Sequence, residues 1–317
     1  MNQIINNEKI ARKKSKIIPR LIIISGVIAF IVLSFILVFN IALKDSEHKA
    51  SITDLQKHWN AYDYESVYNL SNDILIENPF NNTALTYHGY SAFYLAVSQI
   101  DTALSQSYLD EAINNMRNAL LNAKHSLIPQ LEYMLGKAYF YKNTITSYYY
   151  ADLAVKYLVS ARKHGYKADD IPEYLGLSYA ALGQTMESIS AFTEALLIRE
   201  SDTLLLSIAE QYYKIQQPSA AKQYLFRIIQ NSENDELIIK SRNLLANIYI
   251  DSQEYSDAKS EFELILQKNK NFADAYYGLG VIYEKQGDLV KARSEWRKAL
   301  KLQVNHAGAL AKISDYK

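Results

Sequence analysis

The sequence predicts an all-α protein in which a single N-terminal transmembrane helix precedes an α-solenoid of antiparallel helix pairs. Three observations lead to this fold class. Residues 21–43 form one uncharged, strongly apolar segment. From residue 51 onward, apolar side chains recur with the period of an α-helix, and no segment shows the alternation of a strand. The whole chain contains only 10 Gly and 5 Pro, too few for a turn-dense β architecture.

The apolar segment 21–43 is long enough to cross a membrane. At 1.5 Å of rise per residue, a helix of this length spans about 35 Å, and a bilayer's hydrocarbon core is about 30 Å thick. A cleaved signal peptide is the main alternative. Its apolar region would be shorter and would end in a small-x-small cleavage site, which the end of this segment does not offer. We therefore expect the segment to be retained as an anchor.

Charge is distributed unevenly around the predicted anchor. The tail, residues 1–20, carries six Lys or Arg and one Glu, whereas the chain from Lys44 onward carries 28 Lys or Arg and 33 Asp or Glu. The positive-inside rule places the tail in the cytoplasm and the body outside it, which is the periplasm of a double-membrane bacterium. The sequence thus predicts a single-pass inner-membrane protein that contacts lipid through its N-terminal helix. A mildly acidic body also argues against nucleic acid as a partner.

The residues that usually carry chemistry form no catalytic or metal-binding pattern. The chain has no Cys, and its six His show no metal-ligand spacing. Gly278-Leu279-Gly280 lies within a helical pattern, which favours helix packing over a nucleotide-binding loop. The adjacent Asp169 and Asp170 are expected to cap a helix that starts near Pro172. We expect no catalysis, no cofactor and no metal site.

The body is internally repetitive, and its clearest unit runs from Ala273 to His306. The apolar or small positions of this unit are Tyr276, Leu279, Gly280 and Tyr283 in a first helix, and Ala292, Trp296 and Ala299 in a second. Between the two groups, Gln286-Gly287-Asp288 stops one helix and starts the next. Tyrosines recur at the position of Tyr283, in the set Tyr139, Tyr179, Tyr212, Tyr249 and Tyr283, at intervals of 40, 33, 37 and 34 residues.

This spacing resembles the tetratricopeptide repeat, a helix pair of 34 residues. The resemblance covers roughly residues 52–302. Residues 51–127 form irregular repeats, 128–305 regular repeats, 44–50 a linker and 306–317 a C-terminal capping helix. Val304 departs from the family pattern, which usually has Pro there. The resemblance implies a right-handed superhelix whose first helices line a groove that holds a peptide or a partner helix.

Aromatic and polar residues on the first helices are the predicted partner-binding groove. The predicted set is Tyr133, Lys137, Phe140, Tyr141, Tyr213, Asn243, Asn247 and Tyr277. Tyrosine supplies a large contact area at low entropic cost, which suits a partner surface. Asn247 fits one position of the carboxylate clamp of related repeat proteins. Asn243 stands where that clamp needs Lys, so we do not expect this mode.

An insertion of about six residues interrupts the helix pair that contains Tyr139. The segment that contains the extra residues, Thr144–Tyr150, ends in three consecutive tyrosines. Two interpretations follow from the pattern: Tyr148, Tyr149 and Tyr150 form an exposed docking patch, or they begin an extended second helix.

The functional hypothesis is a non-catalytic scaffold that presents its groove to envelope proteins, binding their peptide segments or helices. A collar of periplasmic flagella is one assembly of this kind. The alternatives are a chaperone-like factor similar to the repeat proteins of the secretion translocon, or a recruiter or regulator of a cell-wall enzyme.

Overall fold

The structure is a computed structural model that describes residues 31–36 and 51–316. Residues 31–36 are helical. The rest of the predicted membrane segment, the basic tail and the linker at 44–50 lie outside the described residues. Within the part of the chain that is described, no helix combines the length and the apolar character needed to span a membrane.

Fifteen helices and no strand occupy residues 51–316, which confirms the all-α prediction for this part of the chain. The chain divides after Pro79 into two compact units. The first unit contains α1 (Ile52–Asn60) and α2 (Tyr64–Glu77). The second contains α3 (Asn82–Ser98), α4 (Thr102–Leu121), α5 (Ile128–Ile145), α6 (Ala151–Lys163), α7 (Ile171–Ala181), α8 (Thr185–Ile198), α9 (Asp202–Lys214), α10 (Pro218–Asn231), α11 (Asp235–Asp251), α12 (Tyr255–Lys268), α13 (Ala273–Lys285), α14 (Leu289–Leu302) and α15 (Ala307–Asp315).

The second unit is a stack of helix pairs. Each odd-numbered helix from α3 to α13, which we call the A helix of its pair, packs against the even-numbered B helix that follows, and each B helix packs against the next odd-numbered helix. Neighbouring A helices also touch, since α5 contacts both α3 and α7. In the same way α11 contacts both α9 and α13, so the A helices lie in a row along the unit.

The buried layer lies between A and B helices and uses the residues that define the repeat. Leu175, Phe192, Leu225, Phe262 and Trp296 are all essentially inaccessible to solvent. The predicted register is confirmed at these positions.

Glycine occurs where an A helix approaches the ring of a B helix. A Cβ atom on Gly280 would lie 2.3 Å from Nε1 of Trp296, and one on Gly278 would lie 2.1 Å from Cζ of Phe262. Both distances are far below van der Waals contact, so a larger residue would displace the ring. The two glycines lie inside α13, and the helix-packing interpretation of Gly278-Leu279-Gly280 is confirmed.

The insertion lengthens α5 and then forms a loop. Helix α5 continues to Ile145, and α6 begins only at Ala151, so the interpretation as an extended second helix is wrong. Tyr148 and Tyr149 are exposed in the loop between the two helices. Their docking role stays a prediction.

Candidate partner-binding site on the A helices

Four predicted groove residues come together on α5. Tyr133, Lys137, Phe140 and Tyr141 are spaced by four, three and one residues, which places them along one side of the helix. Residues from both neighbouring A helices complete a cluster with them. We call this the Lys137 cluster, and its members are Phe93, Tyr133, Lys137, Phe140, Tyr141, Asp170 and Tyr174.

Lys137 lies at the centre of the cluster. Its Nζ donates to Oδ2 of Asp170 at 3.0 Å and to the hydroxyl of Tyr133 at 3.1 Å. The ammonium also lies 4.9 Å from the ring centre of Tyr174 and 5.1 Å from that of Tyr133, within the range of cation–π attraction. Only 16% of the Lys137 side chain is exposed. Its charge is therefore balanced inside the protein.

Tyr133 is more buried than a groove residue would be, with 9% of its surface exposed. Its hydroxyl donates to the carboxylate of Asp170, 2.7 Å from Oδ2. Burial, and then this hydrogen bond, raise the pKa of the Tyr133 phenol well above its ordinary value. The Tyr133 phenol therefore stays protonated, and it donates its hydrogen bond to Asp170 from a buried position.

Asp170 occupies the N-cap position of α7, but its side chain makes no capping hydrogen bond. The expectation that its carboxylate caps this helix is wrong. The carboxylate faces α5 instead, because Tyr133 and Lys137 offer it a phenol and an ammonium. A hydrogen bond from the Lys137 ammonium is stronger than one from a neutral backbone N–H group, which explains why the carboxylate faces α5 and does not cap α7.

The rings of Phe140, Tyr141 and Tyr174 form a half-buried aromatic surface. The hydroxyls of Tyr141 and Tyr174 are 3.2 Å apart, and Phe140 meets Tyr174 edge to face with 4.9 Å between ring centres. Phe93 of α3 contacts Tyr141 in the same manner at 5.7 Å, but it is only 2% exposed and is buried behind this surface. Burial, followed by the bond to Tyr141, raises the pKa of Tyr174. The surface is thus neutral and apolar, with two phenol hydroxyls able to bond a partner's backbone.

Tyr213 lies further along the row of A helices. Its hydroxyl donates to Oδ2 of Asp251 at 2.6 Å. Burial, and then this hydrogen bond, raise the pKa of Tyr213 to about 12. A pocket of about 550 Å³ opens beside it, lined by Tyr213, Lys214, Gln216, Pro218, Ile248, Asp251 and Ser252. The pocket lies where α9 and α11 end.

The last three predicted residues lie apart from the Lys137 cluster. Asn243 and Asn247 are half-buried, one turn apart on α11. Tyr277 on α13 contacts the ring of His306 with 4.9 Å between ring centres and 40° between the ring planes, and its ring faces Gly308 of α15. Of the eight predicted residues, four therefore lie together on α5, and the other four lie on α9, α11 and α13.

Three members of the Lys137 cluster were not among the predicted residues: Phe93, Asp170 and Tyr174. Tyr174 carries a usable sequence signal, because it follows Tyr141 by 33 residues, one repeat later. Asp170 has no such signal, since an acidic residue before a helix is most simply a cap. Over the described residues 31–36 and 51–316, no three His, Asp or Glu side chains are placed to hold a metal ion.

Known proteins share this architecture. A family model described as the C-terminal ARM domain of tetratricopeptide repeat protein 21 matches residues 161–311. A curated relative, the uncharacterized protein ycf37 of Pyropia yezoensis, is 34% identical over 105 residues, which are 32% of this chain. The matched segment spans only 58% of that relative's length.

Among solved structures, the C-terminal part of a TPR repeat-containing protein from Cytophaga hutchinsonii has a TM-score of 0.58 at 13% identity, over 82% of this chain and 98% of that one. YrrB, described as a TPR protein with an unusual peptide-binding site, has a TM-score of 0.47 at 22% identity, over 63% of this chain and 97% of its own. The stacked helix pairs give the second unit the architecture of a tetratricopeptide-repeat solenoid, and the structure from Cytophaga hutchinsonii shares this fold.

Proposed function

We propose that this chain is a non-catalytic scaffold that is anchored in a cell membrane by residues 21–43 and binds a segment of a protein partner on its A helices. The observation that carries the proposal is the half-buried aromatic surface of the Lys137 cluster. Its half-buried rings lie on two consecutive A helices, α5 and α7, where a peptide or helix lying along the A helices would contact them.

The geometry of this surface favours binding. Phe140, Tyr141 and Tyr174 hold one another by ring contacts and a hydroxyl–hydroxyl bond, so that little side-chain entropy is lost when a partner binds. Because Asp170 already balances Lys137, the surface offers no unpaired charge. It therefore suits an apolar or aromatic anchor of the partner better than a charged one.

Two further features support the scaffold role and the membrane anchor. Helix pairs occupy nearly all of residues 51–316, which leaves no separate catalytic domain within that range. The uncharged segment 21–43 and the basic tail before it favour a single span with the repeat body on the extracytoplasmic side. The expected partners are then proteins of the cell envelope.

A pull-down from cross-linked, detergent-solubilised membranes tests the binding site. The full-length chain carries a tag after Lys317, and the Phe140→Ala/Tyr141→Ala double variant is compared with the unaltered chain. We expect recovery of the partner to fall by about tenfold or more, the usual loss when anchor residues are truncated. The control is Phe226→Ala, which removes a partly exposed ring from the B helix α10.

Two results would contradict the proposal. Equal recovery of the partner by the double variant and the control would exclude the Lys137 cluster as the binding site. A reporter fused after Lys317 that is active only in the cytoplasm would reverse the predicted orientation.

A further inference from the structure

Exposed apolar side chains collect at one edge of the second unit, where A helices turn into B helices. Around the turn from α3 to α4, Ile100 is fully exposed, and Val97 and Leu104 are about two-fifths exposed. In the loop from α5 to α6, Tyr148 and Tyr149 are 72% and 85% exposed. We call these five residues the turn edge.

The two turns lie side by side. Helices α3 and α5 are neighbouring A helices, and the rings of Phe93 and Tyr141 meet with 5.7 Å between their centres. Helix α3 ends at Ser98, five residues after Phe93, and α5 ends at Ile145, four residues after Tyr141. The helices therefore end at nearly the same level, and the loops that follow share one edge.

The loop that presents the tyrosines is held by its own hydrogen bonds. The amide oxygen of Asn143 accepts from the backbone N–H of Tyr150 at 2.8 Å, and the hydroxyl of Thr146 donates to the carbonyl of Lys142 at 2.9 Å. The ring of Tyr150 stacks on Tyr139. Tyr148 and Tyr149 are thus displayed by an ordered loop, so contact with another surface would cost little conformational entropy.

The turn edge is also poor in charge. Residues 143–151 contain no charged side chain, the exposed Asp152 follows in the first turn of α6, and residues 89–109 contain only Asp101. The Asp101 carboxylate is occupied, since it accepts from the backbone N–H groups of Ala103 and Leu104 and so caps α4. The corresponding turns of the last three pairs carry charge at Lys214, Asp251, Glu254, Lys285 and Asp288.

We propose that the turn edge lies in the interfacial layer of the lipid bilayer that holds the anchor. Tyrosine favours this layer because its ring is partly buried while its hydroxyl stays in water, and Ile100 and Val97 supply apolar side chains to insert. A charge-poor edge enters lipid without desolvating ions, whereas a turn like that at Asp288 would not.

The position of the edge along the chain supports a lipid occupant. Eight residues, 44–51, separate the apolar segment from α1, a link that reaches about 28 Å at most when fully extended. The turn edge belongs to the first two pairs of the second unit, those nearest the anchor in sequence. This inference rests on the membrane anchor of the proposed function.

A fluorescent probe tests the proposal on the full-length chain. Because the chain has no Cys, the variant Ser147→Cys accepts a single environment-sensitive nitrobenzoxadiazole label beside both tyrosines. The labelled chain is reconstituted in phosphatidylcholine vesicles with or without a headgroup-attached nitroxide quencher. The matched control is Ser126→Cys, an exposed position before α5, about 27 Å from Ser147 along a helix of 18 residues.

We expect the emission of the label in the Ser147→Cys variant to shift to the blue and to be strongly quenched. The emission of the label in the Ser126→Cys control should remain that of a probe in water. Replacing Tyr148 and Tyr149 with Ser in the Ser147→Cys variant should reduce the quenching to the level of the control. Both side chains are exposed, so the unfolding midpoint should not change, and circular dichroism checks this.

The other outcomes are distinguishable. If the chain floats with the vesicles but the labels of the two variants behave alike, the lipid contact is excluded while the anchor stands. If the label of the Ser147→Cys variant becomes shielded only when membrane extract proteins are added, the edge binds protein and the lipid proposal is overturned. If the chain does not float with the vesicles, both the anchor and the lipid contact are contradicted.

Discussion

Lys137 and Asp170 form an ion pair that joins two neighbouring A helices inside a shell of aromatic rings. The two residues are 33 positions apart, and their charged atoms approach to 3.0 Å. Lys137 is mostly buried, whereas the Asp170 side chain is 37% exposed. Because the ammonium is the more buried partner, the carboxylate contributes to stability mainly by neutralising the buried positive charge.

Replacing Asp170 with Asn should therefore destabilise the stack. The ammonium of Lys137 would remain among the rings without its counter-charge, and the phenol of Tyr133 would lose a charged acceptor. We expect the loss of about 1–3 kcal/mol of unfolding free energy, measured by urea unfolding of the full chain. Asp169→Asn, at the exposed neighbouring position, is the control. Equal midpoints for the two variants would show that the ion pair contributes no stability.

Substitutions at two corresponding A-to-B turn positions, Gly287 and Gln253, should have opposite effects on stability. Gly287 has φ of 82°, and Gln253 holds the corresponding place in the preceding pair with φ of 60°. An L-residue in this left-handed region costs about 1 kcal/mol relative to glycine. We expect Gly287→Gln to lower the urea midpoint and Gln253→Gly to raise it. A change in the same direction for both variants would mean that backbone conformation does not control these turns.

The buried register follows from the sequence because it depends on local spacing. The positions of Gly280 and Trp296 lie at fixed offsets from the turn, and an A helix cannot approach its B helix unless one of the two positions is small. Such constraints repeat in every pair, so the pattern strengthens with each unit. The helical period alone does not show that Tyr133 is buried, since its environment is supplied by Asp170 and Tyr166 of the following segment.

The binding site is harder to predict from the sequence than the buried register, because it depends on contacts between side chains of neighbouring repeats. A tyrosine on an A helix can face a partner or the next A helix, and the residues of its own helix do not distinguish the two. Tyr141 is matched by Tyr174, whereas Tyr277 is covered by α15. The insertion at Thr144–Tyr150 was recognisable because it breaks the repeat length, but its loop depends on the hydrogen bond from Tyr150 to Asn143.

The attachment of α15 should weaken in acid because of Glu284. Burial raises the pKa of this carboxyl, but hydrogen bonds from Lys312 and Tyr316 outweigh it, and the net pKa lies below its ordinary value. A lowered carboxyl pKa contributes stability that is complete above the unfolded-state value of about 4.3 and is lost as the pH falls through the folded-state pKa. We therefore expect α15 to loosen below about pH 4.3.

Tryptophan fluorescence measures this loosening, because Tyr316 stacks on Trp296 with 5.9 Å between ring centres. The chain's other tryptophan, Trp59, is removed by the substitution Trp59→Phe, so that Trp296 is the only tryptophan that fluoresces. In that background, Glu284→Gln should flatten the pH dependence of the Trp296 signal below about pH 4.3, relative to the same chain with Glu284 intact. An unchanged curve would show that another group controls the transition.

Tyr277 and Tyr213 should respond differently to substitution, although both lie in the predicted groove. The ring of Tyr277 supports α15 through His306 and Gly308, so Tyr277→Ala should increase hydrogen exchange in residues 307–316. His306 itself caps α15 by accepting the backbone N–H of Ala309. Tyr277→Phe keeps the ring and should leave exchange in α15 unchanged.

Tyr213→Phe removes only the hydroxyl that bonds Asp251. We expect it to lower the unfolding free energy by about 1 kcal/mol and to leave α15 protected, because the bond joins α9 to α11 and involves no residue of α15. Hydrogen exchange followed by mass spectrometry separates the two effects in one experiment. If Tyr277→Ala leaves α15 protected while partner recovery falls, its ring belongs to the binding surface and does not support the last helix.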